Sequence, residues 1–198
     1  MFKRNILKKI PIIKRVYPSF IKRLYKTIAK SKIKYSFFEL NLIGNINEPM
    51  DKEIYLFNEY ENNQIKYLIK NIRESNFEYF IDVGANSGVY SLIINNKFNY
   101  FKIKSFEPVK KSIKKFIINL KKNPKLKNIK IYKFGLSNKN KKLLMKSQIR
   151  EKYVQTGGFG VATKKDKLQN LYTEKALFKK GDDILKMKNK KIVLKIDT

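Results

Sequence analysis

Residues 80 to 91 run Phe80-Ile81-Asp82-Val83-Gly84-Ala85-Asn86-Ser87-Gly88-Val89-Tyr90-Ser91. An apolar strand enters an Asp, then a turn of small residues, then the start of a helix. Sixteen residues beyond Ser91, Glu107 closes a second strand, in Ser105-Phe106-Glu107-Pro108, with a carboxylate. The interval from Gly88 to Glu107 is 19 residues, the length of one helix plus one strand in a βαβ unit. Such a unit demands a parallel sheet with helices on its faces. The glycine turn lets backbone approach a ligand closely and opens a helix N-terminus toward it. The second strand end puts an acid where a ribose diol would lie.

Three nucleotide-cofactor layouts share this outline, and the turn separates them. A dinucleotide turn needs G-x-G-x-x-G, and Gly84-Ala85-Asn86-Ser87-Gly88 lacks its middle glycine. A phosphate-binding P-loop needs Gly-Lys-Ser/Thr, which is absent. What remains is D-x-G-x-x-x-G with Asp82 at its head. That pattern suits S-adenosylmethionine, which carries no phosphate and whose methionyl ammonium favours a nearby carboxylate. Asp82 would supply that carboxylate directly or through water, and Glu107 would accept hydrogen bonds from the ribose hydroxyls.

The segments FIDVGANSGVYS (80–91), SFEP (105–108), IKIYKFGLSN (129–138), GDDIL (181–185) and VLKID (193–197) occur in this order. Together they resemble the FkbM-type S-adenosylmethionine-dependent methyltransferases, over about residues 55 to 198. The resemblance implies a Rossmann-like α/β fold of the class I methyltransferase type. It implies methyl transfer to oxygen, with a sugar hydroxyl of a surface glycan or a secondary metabolite as acceptor. Carried over motif by motif, Asp82, Gly84, Asn86 and Gly88 cradle the methionine side, Glu107 holds the ribose, and Leu136 and Ser137 flank the adenine.

Composition removes other chemistries. The chain has no Cys and no His, so disulfides, Cys-based metal sites and an imidazole base are excluded. Any proton acceptor is Asp, Glu, Lys or Tyr. There is no run of 18 apolar residues for a transmembrane helix, and the basic N-terminus is too interrupted by Lys and Arg for a secretory signal. The net charge of +30 points to polyanions, but it comes from 41 Lys against 5 Arg. Bidentate phosphate and base-edge recognition favours Arg. Abundant Lys, Ile and Asn together are also what an AT-rich gene encodes. A functional field and background composition both account for the charge.

Residues 1 to 54 read as a basic extension and pre-domain segment, and 55 to 198 as the methyltransferase domain. The first 38 residues hold 12 Lys or Arg and no acid. Their apolar residues, including Phe2, Ile6, Ile10, Ile13, Tyr17, Phe20, Leu24, Tyr25 and Ile28, recur at helical steps. Pro11 and Pro18 are expected to split them into two or three short helices. That segment either lies on an anionic membrane surface or covers an apolar patch of the domain. The expected location is cytoplasmic, at the inner membrane face if the first alternative holds. A hairpin is expected around Phe37 to Ile46 and a helix over Gln64 to Glu74. Strands are expected at Glu78–Val83, Lys102–Phe106, Ile129–Phe134, Leu143–Lys146 and Ile192–Ile196, and helices at Val89–Asn95 and Lys110–Lys122. Gln148 to Lys180 lacks clear periodicity. Its Thr156-Gly157-Gly158-Phe159-Gly160 reads either as a lid over the acceptor or as a turn or disordered surface loop.

Asp197, at the carboxyl end of the last apolar strand, is the candidate catalytic base, because ligands bind at that edge of a parallel sheet. Lys195 shares its face and is a candidate ion-pair partner. In the FkbM pattern VLKID continues with Glu-Gly, whereas here Thr198 follows Asp197. The sheet is therefore expected to be incomplete, with four core strands, and residues 1 to 198 alone are expected to be poorly soluble or multimeric, and inactive. The rival readings are an RNA methyltransferase, favoured by charge, and an inactive fragment with a basic membrane-surface segment. Methyltransferases that act on exocyclic amines often carry Asn/Asp-Pro-Pro-aromatic after the fourth strand. This chain has no such motif, so nucleic acid is not the expected partner.

Overall fold

The computed structural model describes residues 8–27, 31–150, 153–166 and 169–197. Phe2, Ile6, Ile28 and Thr198 lie outside the described residues. Among the described residues of the N-terminal segment, Pro11–Thr27 forms one continuous helix, α1, which Pro18 does not split. Pro11 sits at its first position, where no intrahelical N–H is needed. Pro18 lies inside and gives up one backbone bond. The helix continues because Ile21 and Tyr25 pack on the main core, and Tyr17 meets Phe57 edge-on at 6.3 Å.

The hairpin is β1 (Lys32–Phe37) and β2 (Leu40–Asn45), paired with Phe37 opposite Leu40. Its two-residue loop, Phe38-Glu39, has both φ angles positive, 47° and 66°. This is the geometry that matches strand twist but that Asn-Gly normally supplies. Tertiary contacts hold it instead: Phe37 packs edge-on against Phe38 at 4.8 Å, and Asn96 donates to the Phe38 carbonyl. Ile33, Tyr35 and Phe37 alternate inward from β1 with exposed Lys32, Lys34 and Ser36.

Then come α2 (Pro49–Phe57), α3 (Asn62–Arg73), β3 (Tyr79–Val83), α4 (Val89–Lys97), β4 (Lys102–Phe106), α5 (Lys110–Lys121) and β5 (Ile129–Tyr132). The expected boundary at residue 54 thus falls within α2. The hairpin shares one buried cluster with α2, α4 and α5, through Phe37, Leu42, Ile54, Leu92 and Phe116. Two amides, Asn119 on α5 and Asn123 just past its end, cap the open edge of β2. Asn119 Oδ1 accepts from Ile43 N and Asn123 Oδ1 from Asn41 N, both at 2.9 Å. An exposed strand edge is thereby covered.

Gln148 to Lys180, read as lacking periodicity, supplies three strands of a second sheet, whose members are β6 (Gly135–Ser137), β7 (Lys141–Arg150), β8 (Tyr153–Val154), β9 (Gly160–Val161) and β10 (Leu171–Lys180). The short strand expected at 143–146 is the middle of ten-residue β7, which pairs antiparallel with β10. The alternation was hidden because both faces carry lysines. The chain closes with α6 (Gly181–Ile184) and β11 (Ile192–Ile196).

The principal sheet is fully parallel, in the order β11-β3-β4-β5. α4 and α5 are the crossovers. In chain order its strands run 3-2-1-4, the Rossmann arrangement, whose direction reverses between β3 and β11. The fold is α/β and Rossmann-like, as expected. β3 is buried from Phe80 to Val83, as a central parallel strand must be. β11 pairs only with β3 among the described residues, and Leu194 and Ile196 are exposed.

One buried charge ties the hairpin to this sheet. Asp51 is 0% exposed and accepts from Tyr35 Oη, Asn45 N and Lys115 Nζ at 2.6–2.7 Å. Gly44 leaves it room, since a Cβ there would fall on the Asp51 carboxylate. Removing the acid strands the Lys115 ammonium and the Tyr35 hydroxyl. Asp51→Ala is expected to cost about 3 kcal/mol, read as a lower urea midpoint with unchanged slope; a shift under about 0.5 kcal/mol would contradict the network's role.

Candidate functional site

The site forms at the carboxyl ends of β3, β4 and β11. After Val83 the chain turns sharply. Gly84 and Ala85 both donate to the Phe106 carbonyl at 3.0 Å, which pins the turn to the end of β4. Gly84, Asn86 and Gly88 have positive φ, 75°, 50° and 80°. At Gly84 the second reason for glycine is contact: a Cβ would fall on the Asp197 carbonyl oxygen at the end of β11. At Gly88 it would fall in the Phe116 ring. The strand-turn-helix therefore closes only with glycine at both places.

Glu107 follows β4 and is 5% exposed. Asn86 N donates to its Oε2 at 2.7 Å and Val109 N to its Oε1 at 2.8 Å. A carboxylate has about four lone-pair positions, so each oxygen keeps one for a further donor. Burial pushes the Glu107 carboxyl up to about 7, against the pull of the Val109 and Asn86 N–H groups.

Glu107 lines a cavity of about 360 Å³ with Gly84, Asn86, Leu136, Met145 and Asp197. A second cavity of about 240 Å³ adjoins it and shares Asn86, Thr156, Gly157 and Asp197. Its other walls include Glu48 from the segment before α2 and Tyr60 from the loop between α2 and α3. The two together have the size of a cofactor site. A larger groove, about 480 Å³, lies between α5 and β10, lined by lysines and aliphatics with no acid.

The glycine-rich loop is neither remote nor unstructured. Thr156–Gly158 forms a 3-10 turn along the mouths of both cavities. Glu48, 2% exposed, holds it by accepting from Thr156 N at 2.6 Å, and Ser147 Oγ donates to the Gln155 carbonyl at 2.7 Å.

The remaining candidates divide. Asp82 is 0% exposed and does not line either cavity. Ser91 Oγ donates to its Oδ2 at 2.7 Å, and Lys195 Nζ stands 3.2 Å from its Oδ1. Lys195 Nζ also lies 3.6 Å from Asp197 Oδ2 and donates to the Gly84 carbonyl. One ammonium thus bridges the acids of both strand ends. Asp197 continues the ladder through its N–H to the Val83 carbonyl, while its side chain is 71% exposed at the boundary of the cavities. Leu136 is in the cavity wall; Ser137 is not, and its hydroxyl donates to Asn138. Asn86 Oδ1 is buried with no protein partner, an acceptor in need of a donor. Reading the sequence missed Glu48, Tyr60, Met145 and Phe178.

No protein-family model matches the chain, and no curated protein matches it. Among solved structures it is similar to the SAM-dependent methyltransferase from Agrobacterium tumefaciens, with 11% identity, 52% of this chain and 32% of that chain covered, and a TM-score of 0.41. It is also similar to a Staphylococcus aureus protein assigned as a caffeoyl-CoA O-methyltransferase, with 12% identity, 59% and 50% covered, and a TM-score of 0.38. The chain thus spans half or less of the length of either protein.

The raised Glu107 pKa has a signed consequence. The folded chain holds this proton to about pH 7, whereas an exposed Glu releases it near 4.3. Folding stability from this group is present at low pH and is lost as pH rises through that window. Relative to the wild type, Glu107→Gln is therefore expected to gain about 1 to 3 kcal/mol between pH 4 and pH 8, in thermal unfolding without ligand, whatever its offset at pH 4 from the lost acceptor. A gap that does not widen with pH would contradict the buried carboxyl.

Proposed function

We propose that this chain is an S-adenosylmethionine-dependent O-methyltransferase of the FkbM type, acting on a hydroxyl of a sugar in a glycan or a secondary metabolite. The observation that carries the reading is Glu107: a buried carboxylate at the end of the second parallel strand, with lone pairs to spare, facing a cavity beside a glycine turn. A ribose diol matches it, since two vicinal hydroxyls donate to one carboxylate. The residues present fit the rest of the cofactor. Leu136 and Met145 offer apolar walls, Asn86 Oδ1 offers a buried unused acceptor, and Gly84 and Gly88 keep the backbone close. The cofactor supplies an electrophilic methyl on a sulfonium.

The chain's own groups would position and deprotonate. The 3-10 turn at Thr156–Gly158, held by Glu48, covers the cavities and limits water. Asp197, exposed at their boundary, would take the acceptor's proton. Lys195 would hold the Asp197 carboxylate near the cavity boundary, while it faces Asp82 below. Asp82 then acts as a buried counter-charge that fixes Lys195, and its approach to a methionyl ammonium would be indirect. The FkbM-type motifs and the oxygen acceptor rest on the sequence resemblance; the methyltransferase class rests on the parallel sheet and on Glu107.

Calorimetric titration with S-adenosylhomocysteine tests this reading. The wild-type chain is expected to bind, and Glu107→Ala to bind more weakly by about 1 to 3 kcal/mol, the scale of losing a charged hydrogen-bond partner. NAD is expected not to compete. No heat with S-adenosylhomocysteine from a cooperatively folded sample, or equal affinity in the variant, would overturn it.

A further inference from the structure

α1 is apolar on two sides, and only one of them is used. Ile13, Tyr17, Ile21 and Tyr25 form a row at four-residue spacing that is half-buried. Its members Ile21 and Tyr25 pack on the domain core, Tyr17 meets Phe57, and Tyr25 meets Tyr55. This row explains why the helix stays on the domain. A second row, Ile12, Val16, Phe20 and Leu24, repeats at the same spacing on the outer side. These residues are 74%, 59%, 64% and 47% exposed. Ile10, just before the helix, is 42% exposed as well. Five of the thirteen large exposed apolar side chains among the described residues thus lie within fifteen residues of sequence. Single exposed apolar residues are ordinary, but a contiguous stripe marks an interaction surface.

The charges beside the stripe identify the partner. Lys9, Lys14, Arg15 and Arg23 are exposed, and no acid occurs before Glu39. The acids of the neighbouring segment, Glu53 and Glu59, are both engaged by Lys8, at 2.5 and 3.1 Å. The outer side of α1 therefore presents apolar side chains in a purely cationic setting. A helix of 17 residues is about 25 Å long, and none of the described helices is long and apolar enough to cross a membrane. A stripe of Ile, Val, Phe and Leu flanked by Lys and Arg suits a helix lying in the plane of an anionic bilayer, with the apolar row among the acyl chains and the cations at the headgroups.

We infer that α1 is a two-sided adaptor: its Ile13-Tyr17-Ile21-Tyr25 row docks on the domain, and its Ile12-Val16-Phe20-Leu24 row inserts into an anionic lipid surface. The domain would then ride on the membrane face through one helix. This inference does not depend on the cofactor, because neither row touches the cavities.

The test must separate insertion from simple adsorption, since a chain of net charge +30 adheres to any anionic surface. Full-length protein is floated with vesicles of phosphatidylcholine alone and with added phosphatidylserine, at low and at raised salt. The double variant I12S/F20S keeps every charge and changes only exposed side chains. Its fold is checked by its far-ultraviolet circular dichroism and thermal transition. The wild type is expected to float with anionic vesicles and to keep much of that binding at 0.5 M salt. The double variant is expected to lose binding by about tenfold or more, and to lose the remainder at 0.5 M salt. The chain has no Trp, so Phe20→Trp provides a single reporter whose emission should shift to the blue on anionic vesicles only. Undiminished flotation of I12S/F20S, or unshifted Phe20→Trp emission, would mean adsorption by the whole surface and would overturn the inference. So would a wild-type oligomer that I12S/F20S converts to monomer in the absence of lipid, which would make the stripe a contact between copies of this chain.

Discussion

The hydrogen bond from Asn86 N to the Glu107 carboxylate joins the turn after β3 to the end of β4, and the rest of the site hangs from it. It works because both strand ends are already fixed. Two N–H groups of the turn share the Phe106 carbonyl, so Asn86 arrives beside Glu107 with no freedom left. Asn86 reaches it in a left-handed conformation, φ 50°, which Asn tolerates better than other non-glycine residues. Glycine on both sides lets β11 and Phe116 close in. The outcome is a buried acid facing a cavity, an arrangement that costs desolvation and that only a donor-rich ligand would repay.

Around that point the molecule is built as a chain of buried polar attachments, not as one apolar core. Asp51 joins hairpin, α2 and α5. Asn119 and Asn123 seal the edge of β2. Glu48 fastens the 3-10 turn to the pre-domain segment, and Lys195 joins Asp82 to Asp197. Each attachment crosses between segments far apart in sequence. The N-terminal third therefore contributes to the site through Glu48 and Tyr60, although the cofactor motif begins only at residue 80.

How much of this was legible in the sequence follows from the range of the forces involved. The parallel strands and their crossovers were, because β3 is a mostly apolar run ending at Gly84, and β4, which alternates Lys with Ile, ends at Glu107-Pro108. Glu107 was, because its distance from the glycine turn equals one crossover. Local signals failed where tertiary contacts decide. Phe38-Glu39 makes a hairpin loop that nothing in its dipeptide announces, held by Asn96 and Phe37. Pro18 argued for a break in α1, but packing of Tyr17, Ile21 and Tyr25 outweighs one lost bond. β10 was invisible because Lys175 and Lys179 interrupt its apolar pattern. Asp82 pairs with Lys195 beneath the turn, a contact that depends on the β3–β11 register and that no local signal announces.

Met145 lies in the wall of the Glu107 cavity and Met187 outside it, packed near Ile192. The most direct measurement is therefore a methyl carbon-13 spectrum of methionine-labelled protein, titrated with S-adenosylhomocysteine and assigned through Met145→Leu. The account predicts a saturable shift of the Met145 methyl resonance with that of Met187 unmoved, and loss of the response at the same ligand concentration in Glu107→Ala. A Met145 resonance that stays fixed at saturating ligand, or that shifts equally without Glu107, would contradict it.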